Sequence, residues 1–505
     1  MPNPIPELCR ALADDLRLAG FRSETLRAAW GVEADDAIGR TLRTPALRGL
    51  GDRDDALATL ARLLIFGVAQ PAAAVDAALP ELGSAGLAAL GLATVAGDDV
   101  TPTATVRPQS FHDDRGPGEW IVAADIDELA SGGGPLDTDY VLGVGGASLT
   151  LAGLQLPTSA GRVLDLGTGC GVQALRARRY ADQVVATDIS ARALDYARLN
   201  ALLNGTDAIE ARDGSLFEPV AGETFDRIVS NPPFVITPRA TGVPEYEYRD
   251  GGLVGDALVE RVVAGVGEHL EPGGIAQFLG NWETRGGERG LDRVRAWVER
   301  SPVPLDAWVV EREHLNPIEY AEMWIRDGGT VPGSPEHDAL LTAWLDDFAA
   351  RGVTSVGFGY VLLRRAVGEP TLARYESVPQ PIPSEGGLGS HLAAALAAHD
   401  AQARLTDAQL SMLTLRAAPD VTEARHHTPG SENPTVIELR QGGGFGRSLS
   451  ADPALAGFVG ACGGELTVGQ IVGALAQLLE VDEDALSGAL LPAARELLVD
   501  GFLTF

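Results

Sequence analysis

The stretch that decides the fold is VLDLGTGCGVQAL, residues 163–175, in which an apolar run is followed by three alternating glycines. The run ending at Leu166 predicts a buried strand, and the residues from Gly171 onward predict a helix. Gly167, Gly169 and Gly171 remove side chains where the backbone must turn tightly and approach a ligand closely. The segment therefore predicts a strand, a ligand-binding turn and a helix.

Strands and helices alternate around this segment, which indicates a parallel sheet with helices on both faces. We predict an α/β domain over residues 135–366, built on a seven-stranded, mostly parallel sheet. A helical insertion at 314–352 precedes the last strand. The predicted strands are GRVLDLGT, QVVATDIS, IEARDGS, DRIVSNPP, GGIAQFLGNW, LDAWVVERE and SVGFGYVLLRRA.

The flanking regions follow different patterns. Residues 1–100 carry apolar residues at helical spacing and predict a helical N-terminal domain. Residues 101–134 predict a β-rich connector. Residues 367–505 begin with a Pro/Gly-rich candidate linker at 376–387, and their tail predicts a helix, a helix and a short strand. We interpret 367–505 as a C-terminal α+β module with a winged-helix-like end.

Charge separates the possible substrate classes. The 505-residue chain has 39 basic and 70 acidic residues, a net charge of −31, and its basic residues are all arginine. A field of this sign repels phosphate backbones, and nucleic-acid affinity rests largely on phosphate neutralisation by basic side chains. Composition therefore favours a protein or small-molecule partner over a nucleic acid.

Scattered cysteines and histidines predict no metal site. Cys9, Cys170 and Cys462 form no CxxC pair, and the adjacent His426 and His427 have no third ligand at a suitable spacing. The polar, acidic N-terminus is unlike a secretory signal, and no apolar run is long enough to span a membrane. We expect a cytoplasmic protein without a membrane partner. No oligomeric state is predicted.

Aspartates stand at the ends of three successive predicted strands. Asp188 closes the second strand, where a carboxylate can accept both hydroxyls of a ribose. Asp213 closes the third, where it or its neighbouring amide can bind an adenine amine, and Asp165 precedes the glycine turn. A dinucleotide site fits less well, because its fingerprint is GxGxxG and this loop is GTGCG. The predicted cofactor-binding residues are Asp165, Gly167, Thr168, Gly169, Gly171, Asp188, Ile189, Asp213, Gly214 and Asn231.

The tetrapeptide Asn231-Pro-Pro-Phe follows the fourth strand, at the edge where open α/β sheets bind ligands. Two consecutive prolines remove two backbone donors, so that the turn presents carbonyl oxygens. The Asn231 side-chain oxygen and the Pro232 carbonyl can accept hydrogen bonds from one NH2 group, and Phe234 offers a flat apolar face. We predict that Asn231, Pro232, Pro233 and Phe234 are catalytic residues acting on a planar amide or amine nitrogen. Alternatively, the tetrapeptide is only a turn.

Together these motifs resemble those of Rossmann-like (class I) S-adenosylmethionine-dependent methyltransferases. The resemblance spans roughly 135–285 and implies S-adenosyl-L-methionine as the cofactor. Segment 214–234 is similar to release-factor glutamine methyltransferases and to small-domain ribosomal RNA guanine methyltransferases. Glutamine relatives carry Tyr where this chain has Phe234, whereas several guanine relatives carry Phe. Segment 246–263 resembles the glycine-bearing segment of the glutamine enzymes.

These observations favour an N-methyltransferase that modifies a planar amide or amine nitrogen of a protein or a small molecule. Methylation of an exocyclic amine of a ribosomal RNA base is the alternative enzymatic function. A cofactor-binding protein without catalysis on the same scaffold is the alternative of another class. The net charge of −31 ranks protein above RNA.

Overall fold

The structure, a computed structural model, describes residues 1–132, 137–206, 208–382 and 387–505. The chain forms two compact units. The first comprises Met1–Ala152 and Ser159–Glu376, and the second comprises Gly153–Thr158 and Ser377–Phe505. The domain boundary predicted between 134 and 135, and residues 383–386 of the candidate linker, lie outside the described residues.

Short helices and a small sheet make up the first hundred residues. The helices are α1 (Pro6–Leu18), α2 (Ser23–Trp30), α3 (Val32–Ile38), α4 (Thr44–Leu50), α5 (Ala56–Leu60, continued by a π-helical turn at Ala61–Ile65), α6 (Ala72–Ala78) and α7 (Gly83–Ala89). Strands β1 (Gln70–Pro71), β2 (Ala93–Ala96) and β3 (Asp99–Pro102) pair in the order β1-β3-β2. The predicted helices are confirmed. The pattern misses β1 and β2, which are too short to show alternation, whereas β3 lies at the start of the region that reads as strand-like.

An antiparallel hairpin lies within the segment interpreted as a β-rich connector. Its strands are β4 (Ala104–Asp113) and β5 (Gly116–Asp125), and helix α8 (Glu128–Ser131) comes after it. Two side chains at the end of the later helix Ala191–Leu203, one within it and one just after it, form hydrogen bonds with β5. Asn200 and Asn204 each exchange two hydrogen bonds with its backbone, at Ala123 and at Ile121. The hairpin is thereby fixed to the helix that follows the second strand of the large sheet.

The centre of the first unit is an eight-stranded sheet. Its strands are β6 (Ala160–Leu166), β7 (Ala181–Asp188), β8 (Ile209–Asp213), β9 (Phe225–Ser230), β10 (Leu270–Arg285), β11 (Leu305–Leu315), β12 (Val353–Arg365) and β13 (Ala373–Ser377), in the order β13-β11-β12-β10-β9-β6-β7-β8. The five strands from β10 to β8 pair in parallel, and β12 is antiparallel to both neighbours. The seven predicted strands are confirmed. The eighth, β13, was not predicted, because its sequence ARYES is polar and only half-buried.

Helices accompany this sheet as the alternation predicts. They are α9 (Gly146–Leu154), α10 (Val172–Arg178), α11 (Ala191–Leu203), α12 (Ala257–Gly265), α13 (Gly290–Glu299), α14 (Pro317–Asp327) and α15 (Pro335–Arg351). The last two form the helical insertion between β11 and β12. Helix α14 begins at a capping box of Asn316 and Glu319 with Pro317 in its first turn, a combination that favours a helix start.

The second unit is α+β. Its helices are α16 (Gly389–Ala403), α17 (Asp407–Ser411), α18 (Pro453–Ala461), α19 (Val468–Leu479) and α20 (Glu483–Asp500). Its strands are β14 (Thr414–Ala417), β15 (Val421–His426), β16 (Val436–Gln441), β17 (Ser448–Ala451), β18 (Gly463–Thr467) and β19 (Leu503–Thr504), in two sheets ordered β18-β14-β19 and β15-β16-β17. The predicted tail is confirmed as α19, α20 and β19, whereas its winged-helix interpretation stays a prediction. Among the described residues, no helix is both long and apolar enough to cross a membrane.

Candidate active site

A cavity of about 580 Å³ opens at the carboxyl ends of the parallel strands. The register places Leu166 opposite Ser230 and Asp188 opposite Asp213, so the ends of β6, β7, β8 and β9 meet at one edge. Ligands of open α/β sheets bind at this edge. The lining residues come from the ranges 138–148, 166–173, 187–193, 214–216, 230–233 and 245–261.

The glycine turn forms the floor of the cavity. Its backbone is held by the neighbouring strand, because Gly167 and Thr168 both donate from nitrogen to the Thr187 carbonyl at 2.9 Å. Gly167 has a φ of 71° and would direct a side chain into open space, whereas a Cβ at Gly171 would lie 3.0 Å from Ala197 Cα. The first glycine therefore leaves room at the cavity, and the last permits helix α11 to pack closely.

Two of the predicted aspartates hold this turn. Asp188 lies at the cavity wall, where its carboxylate accepts from the nitrogens of Gly169 at 2.9 Å and Ser190 at 3.0 Å. Asp165 is fully buried behind the turn and accepts from the Thr168 hydroxyl at 2.6 Å. Burial raises the pKa of both carboxyls, and that of Asp165 to about 7. Asp165 thus supports the turn and does not line the cavity.

Beyond Asp188 the wall continues through residues 189–190 and 214–216. The exposed Ile189 and the segment Gly214–Leu216 line the cavity, and Gly214 donates from nitrogen to the Asp188 carbonyl at 3.0 Å. Asp213 ends β8 as predicted, but its side chain is exposed and is not part of the lining. Leu216 has a φ of 47°, a backbone conformation that is uncommon outside glycine and tends to occur at functional sites.

The tetrapeptide divides between the cavity and the core. Ser230 donates from its hydroxyl to the Leu166 carbonyl at 2.7 Å, which joins the end of β9 to the glycine turn. Asn231, Pro232 and Pro233 line the cavity, and the buried Oδ1 of Asn231 has no hydrogen-bond partner among the described residues. Phe234 is absent from the lining. It packs against two hydrophobic clusters instead of offering a face to the cavity.

Three tyrosines that sequence reasoning did not assign form an aromatic wall: Tyr140, Tyr246 and Tyr248. The ring centroids of Tyr140 and Tyr248 are 5.6 Å apart in an edge-to-face arrangement, and those of Tyr246 and Tyr248 are 5.9 Å apart. Burial raises the pKa of Tyr140 and of Tyr248, which keeps both phenols neutral. The two tyrosines of YEYR were visible in the sequence, but nothing local connects them to Tyr140.

The hairpin fixes the first part of this wall. Asp125, the last residue of β5, accepts from the Val141 nitrogen at 2.8 Å and from the Tyr196 hydroxyl at 2.7 Å, and it is ion-paired with Arg192. Asn200 links the same hairpin to the cavity floor, because it also donates to the Cys170 carbonyl at 2.8 Å. The N-terminal region therefore positions residues on two sides of the cavity.

The polar groups at the cavity include acidic side chains and buried acceptor oxygens. Among the residues that the structure describes, no group of three or more His, Cys, Asp or Glu side chains is arranged to hold a metal ion. Acidic residues line the cavity at Asp188, Glu245, Glu247 and Asp250. Two of its buried side-chain oxygens, Thr187 Oγ1 and Asn231 Oδ1, have no hydrogen-bond partner in the described part of the chain. Buried polar atoms of this kind are normally satisfied, so these two oxygens are available to accept hydrogen bonds in the cavity.

Comparison with known proteins identifies two domains. Residues 145–288 match the methyltransferase small domain, and residues 18–103 match a domain of unknown function, DUF7059. The chain is 40% identical over 139 residues to a release factor glutamine methyltransferase of Xylella fastidiosa, covering 26% of this chain and 50% of that one. It is 36% identical over 128 residues to a ribosomal protein uL3 glutamine methyltransferase of Bradyrhizobium diazoefficiens, covering 23% and 40%. The chain thus spans half or less of the length of these relatives.

A solved structure of a methyltransferase from Pyrococcus furiosus also matches. It is 16% identical, covers 43% of this chain and 80% of its own, and has a TM-score of 0.25.

Proposed function

We propose that this chain, whose residues 145–288 form a methyltransferase small domain, is an S-adenosylmethionine-dependent N-methyltransferase acting on a planar amide nitrogen of a protein. The observation that carries the proposal is the buried, unpartnered Oδ1 of Asn231 at the cavity wall, within the described residues. A buried acceptor without a donor is costly, and a substrate NH2 group would remove that cost.

The cofactor would occupy the half of the cavity that the glycine turn and Asp188 form. The Asp188 carboxylate, already oriented by two backbone donors, would accept the ribose hydroxyls. Ile189 and Gly214 would flank the adenine, and Asp165 would act indirectly, by holding Thr168 in the turn. The exposed Asp213 would contribute through the neighbouring backbone more than through its carboxylate. When bound, S-adenosylmethionine supplies an electrophilic methyl group on a sulfonium.

The chain's own contribution to chemistry is orientation of the acceptor. Asn231 Oδ1 and the Pro232 carbonyl would each accept one N–H of the same NH2 group. This holds an amide nitrogen whose lone pair is delocalised and favours the pyramidal geometry in which that lone pair is available. The charged nitrogen formed on transfer is acidic enough to lose its proton to solvent, so that no strong general base is required. The aromatic wall offers flat faces to a planar group.

Two observations support a protein acceptor over ribosomal RNA. The relatives described above are named for methylating glutamine in proteins. The net charge of −31 opposes binding of a phosphate backbone. Phe234, the residue that leans towards the guanine enzymes, lies outside the cavity lining, which weakens the argument for a nucleobase.

The test is transfer of labelled methyl groups from S-adenosylmethionine into cell extract, followed by separate protease and nuclease treatment. We expect protease-sensitive label with the wild-type chain. Asn231→Ala should lower transfer by at least about a hundredfold, as losses of oriented transition-state contacts do, with the dissociation constant of S-adenosylhomocysteine within a few-fold of wild type. Asn433→Ala is the matched control, because Asn433 also precedes a proline but lies exposed in the second unit.

Nuclease-sensitive label would overturn the protein assignment in favour of RNA. Near-normal transfer by Asn231→Ala would reduce the tetrapeptide to a turn and remove the basis of the amide mechanism. Absence of transfer into any fraction, together with tight binding of S-adenosylhomocysteine, would favour a cofactor-binding protein without catalysis.

A further inference from the structure

The insertion formed by α14 and α15 lies against the segment that follows the tetrapeptide. Val235 and Ile236 are buried in one cluster with Tyr320 of α14 and Trp344 of α15. The Tyr320 hydroxyl accepts from the Ile236 nitrogen at 3.0 Å. An element inserted between two strands of the sheet therefore supports the chain immediately after Pro233.

Arg249 connects this insertion to the aromatic wall. Its guanidinium carbon lies 4.7 Å from the ring centroid of Tyr246 and 5.9 Å from that of Tyr248, both of which line the cavity. On its other side it lies 5.9 Å from the ring of Trp324, which belongs to α14. The Arg249 side chain is only 8% exposed, so these contacts are shielded from water.

The charge of Arg249 is balanced by α14. Arg249 is ion-paired with Asp327 at 2.5 Å and donates to the Trp324 carbonyl at 3.0 Å. The Tyr248 hydroxyl donates to the same Asp327 carboxylate at 3.2 Å. Asp327 thus accepts a hydrogen bond from Tyr248 and pairs with Arg249, whose guanidinium lies against the rings of Tyr246 and Tyr248. Trp324 and Asp327 both lie in the last turn of α14.

The backbone of Arg249 reaches the tetrapeptide as well. The Val235 nitrogen donates to the Arg249 carbonyl at 2.9 Å, and Phe234 forms a β-bridge with Asp250. Movement of Arg249 would therefore disturb both the aromatic wall and the segment that follows Pro233. The wall and the predicted acceptor oxygens are coupled through one buried residue.

We propose that Arg249 and Asp327 are positioning residues through which the inserted helix α14 holds the aromatic wall and thereby sets acceptor selectivity. The inference rests on the proposed function for the identity of the acceptor, a planar amide group held between tyrosine faces. The mechanical part, that α14 fixes residues 246–250, stands on the contacts alone. Arginine is required because its planar, delocalised cation stacks on rings while it pairs with a carboxylate, which a lysine ammonium does less well.

The experiment compares Asp327→Asn, Arg249→Lys and Tyr248→Phe with Arg326→Ala in the full chain. Arg326 is the matched control, since it precedes Asp327 on α14, pairs with Glu322 of the same helix, and is 61% exposed. Amide hydrogen exchange of residues 234–250 is measured first. We expect exchange about tenfold faster in Asp327→Asn and Arg249→Lys, because hydrogen bonds to charged groups are lost. Tyr248→Phe, which removes one hydroxyl, should fold normally and show a smaller increase.

Two further measurements separate positioning from general damage. Calorimetric titration with S-adenosylhomocysteine should give dissociation constants within about twofold of wild type, since the cofactor contacts lie elsewhere. In the labelled-methyl assay the apparent KM for extract protein should rise about tenfold in Asp327→Asn and Arg249→Lys, with kcat less affected. Arg326→Ala should match wild type throughout.

Unchanged exchange over 234–250 in both Asp327→Asn and Arg249→Lys would overturn the proposal. A loss of affinity for S-adenosylhomocysteine as large as the rise in apparent KM would also overturn it, because the change would then be global. If the wild-type chain transfers no methyl group, the proposed function fails, and the exchange data alone decide whether α14 holds the wall. Faster exchange with an unaltered KM would refute the selectivity role.

Discussion

Asp165 lies fully buried behind the glycine turn, where burial raises the pKa of its carboxyl from 3.8 to about 7. Replacing it with asparagine removes the ionisation while keeping an oxygen that can accept from the Thr168 hydroxyl. The folded state holds this proton more tightly than the unfolded state. The stabilisation from Asp165 is therefore fully present below pH about 4 and is lost as the pH rises through about 7.

The size of this effect follows from the two pKa values. Between them the wild-type free energy of unfolding falls by about 1.4 kcal/mol per pH unit on account of this one group. From pH 5 to pH 7 the loss amounts to about 2 kcal/mol, because the slope flattens near the folded pKa. Asp165→Asn lacks this contribution. Its free energy of unfolding should therefore gain about 2 kcal/mol relative to wild type over the same interval.

Urea unfolding at pH 5, 6 and 7 measures this difference. Tryptophan fluorescence reports on the first unit alone, because all seven tryptophans lie in it. Asp182→Asn is the control. Asp182 also lies on a parallel strand of the sheet, but it is exposed and stands at the start of β7, away from the cavity. A difference between Asp165→Asn and wild type that does not change with pH would refute the reasoning, and Asp165 would then be ionised in the folded protein.

Two further predictions concern Asp188, at the cavity wall, and Gly171, the last glycine of the turn. Asp188→Ala should weaken S-adenosylhomocysteine binding by about tenfold to a hundredfold in calorimetric titration, because hydrogen bonds to a charged group are lost. Asp182→Ala, the control, should bind as the wild type does. Equal affinities of Asp188→Ala and wild type would remove Asp188 from the proposed ribose site. Gly171→Ala places a Cβ 3.0 Å from Ala197 Cα at a φ of 85°, so urea unfolding should show a free energy of unfolding lower by about 1–3 kcal/mol. Gly146→Ala, at an exposed glycine, is the control and should be near neutral. An unchanged unfolding midpoint for Gly171→Ala would contradict the close packing of α11.

The floor of the cavity was predictable because its determinants are local. A strand, a glycine turn and a helix follow one another within 163–175, and parallel pairing brings the ends of neighbouring strands to one edge. Side-chain direction at a strand end is a different matter. Asp213 was placed correctly at the end of β8, but β8 is the edge strand and its final side chain is exposed to solvent.

The aromatic wall was not predictable, because its members come from distant segments. Tyr140 and Tyr248 are in contact although more than a hundred residues separate them, and no local pattern expresses such a pairing. Phe234 was predicted to face the cavity, but it packs against residues from distant segments. Its place beside the prolines suggested the cavity, but the apolar cluster built by the insertion provides an alternative surface on which it packs.

The two halves of the cavity are therefore supported in different ways. The half proposed to hold the cofactor is supported by short-range features of the sheet, such as the Asp188 contacts with Gly169 and Ser190. The half proposed to hold the acceptor, which includes the aromatic wall, depends on elements added to that sheet. Asp125 of the hairpin bonds to Val141, and Asp327 of the insertion pairs with Arg249. Sequence change in the insertion can thus alter the half proposed for the acceptor and leave the half proposed for the cofactor intact, whereas the hairpin also contacts the cavity floor through Asn200.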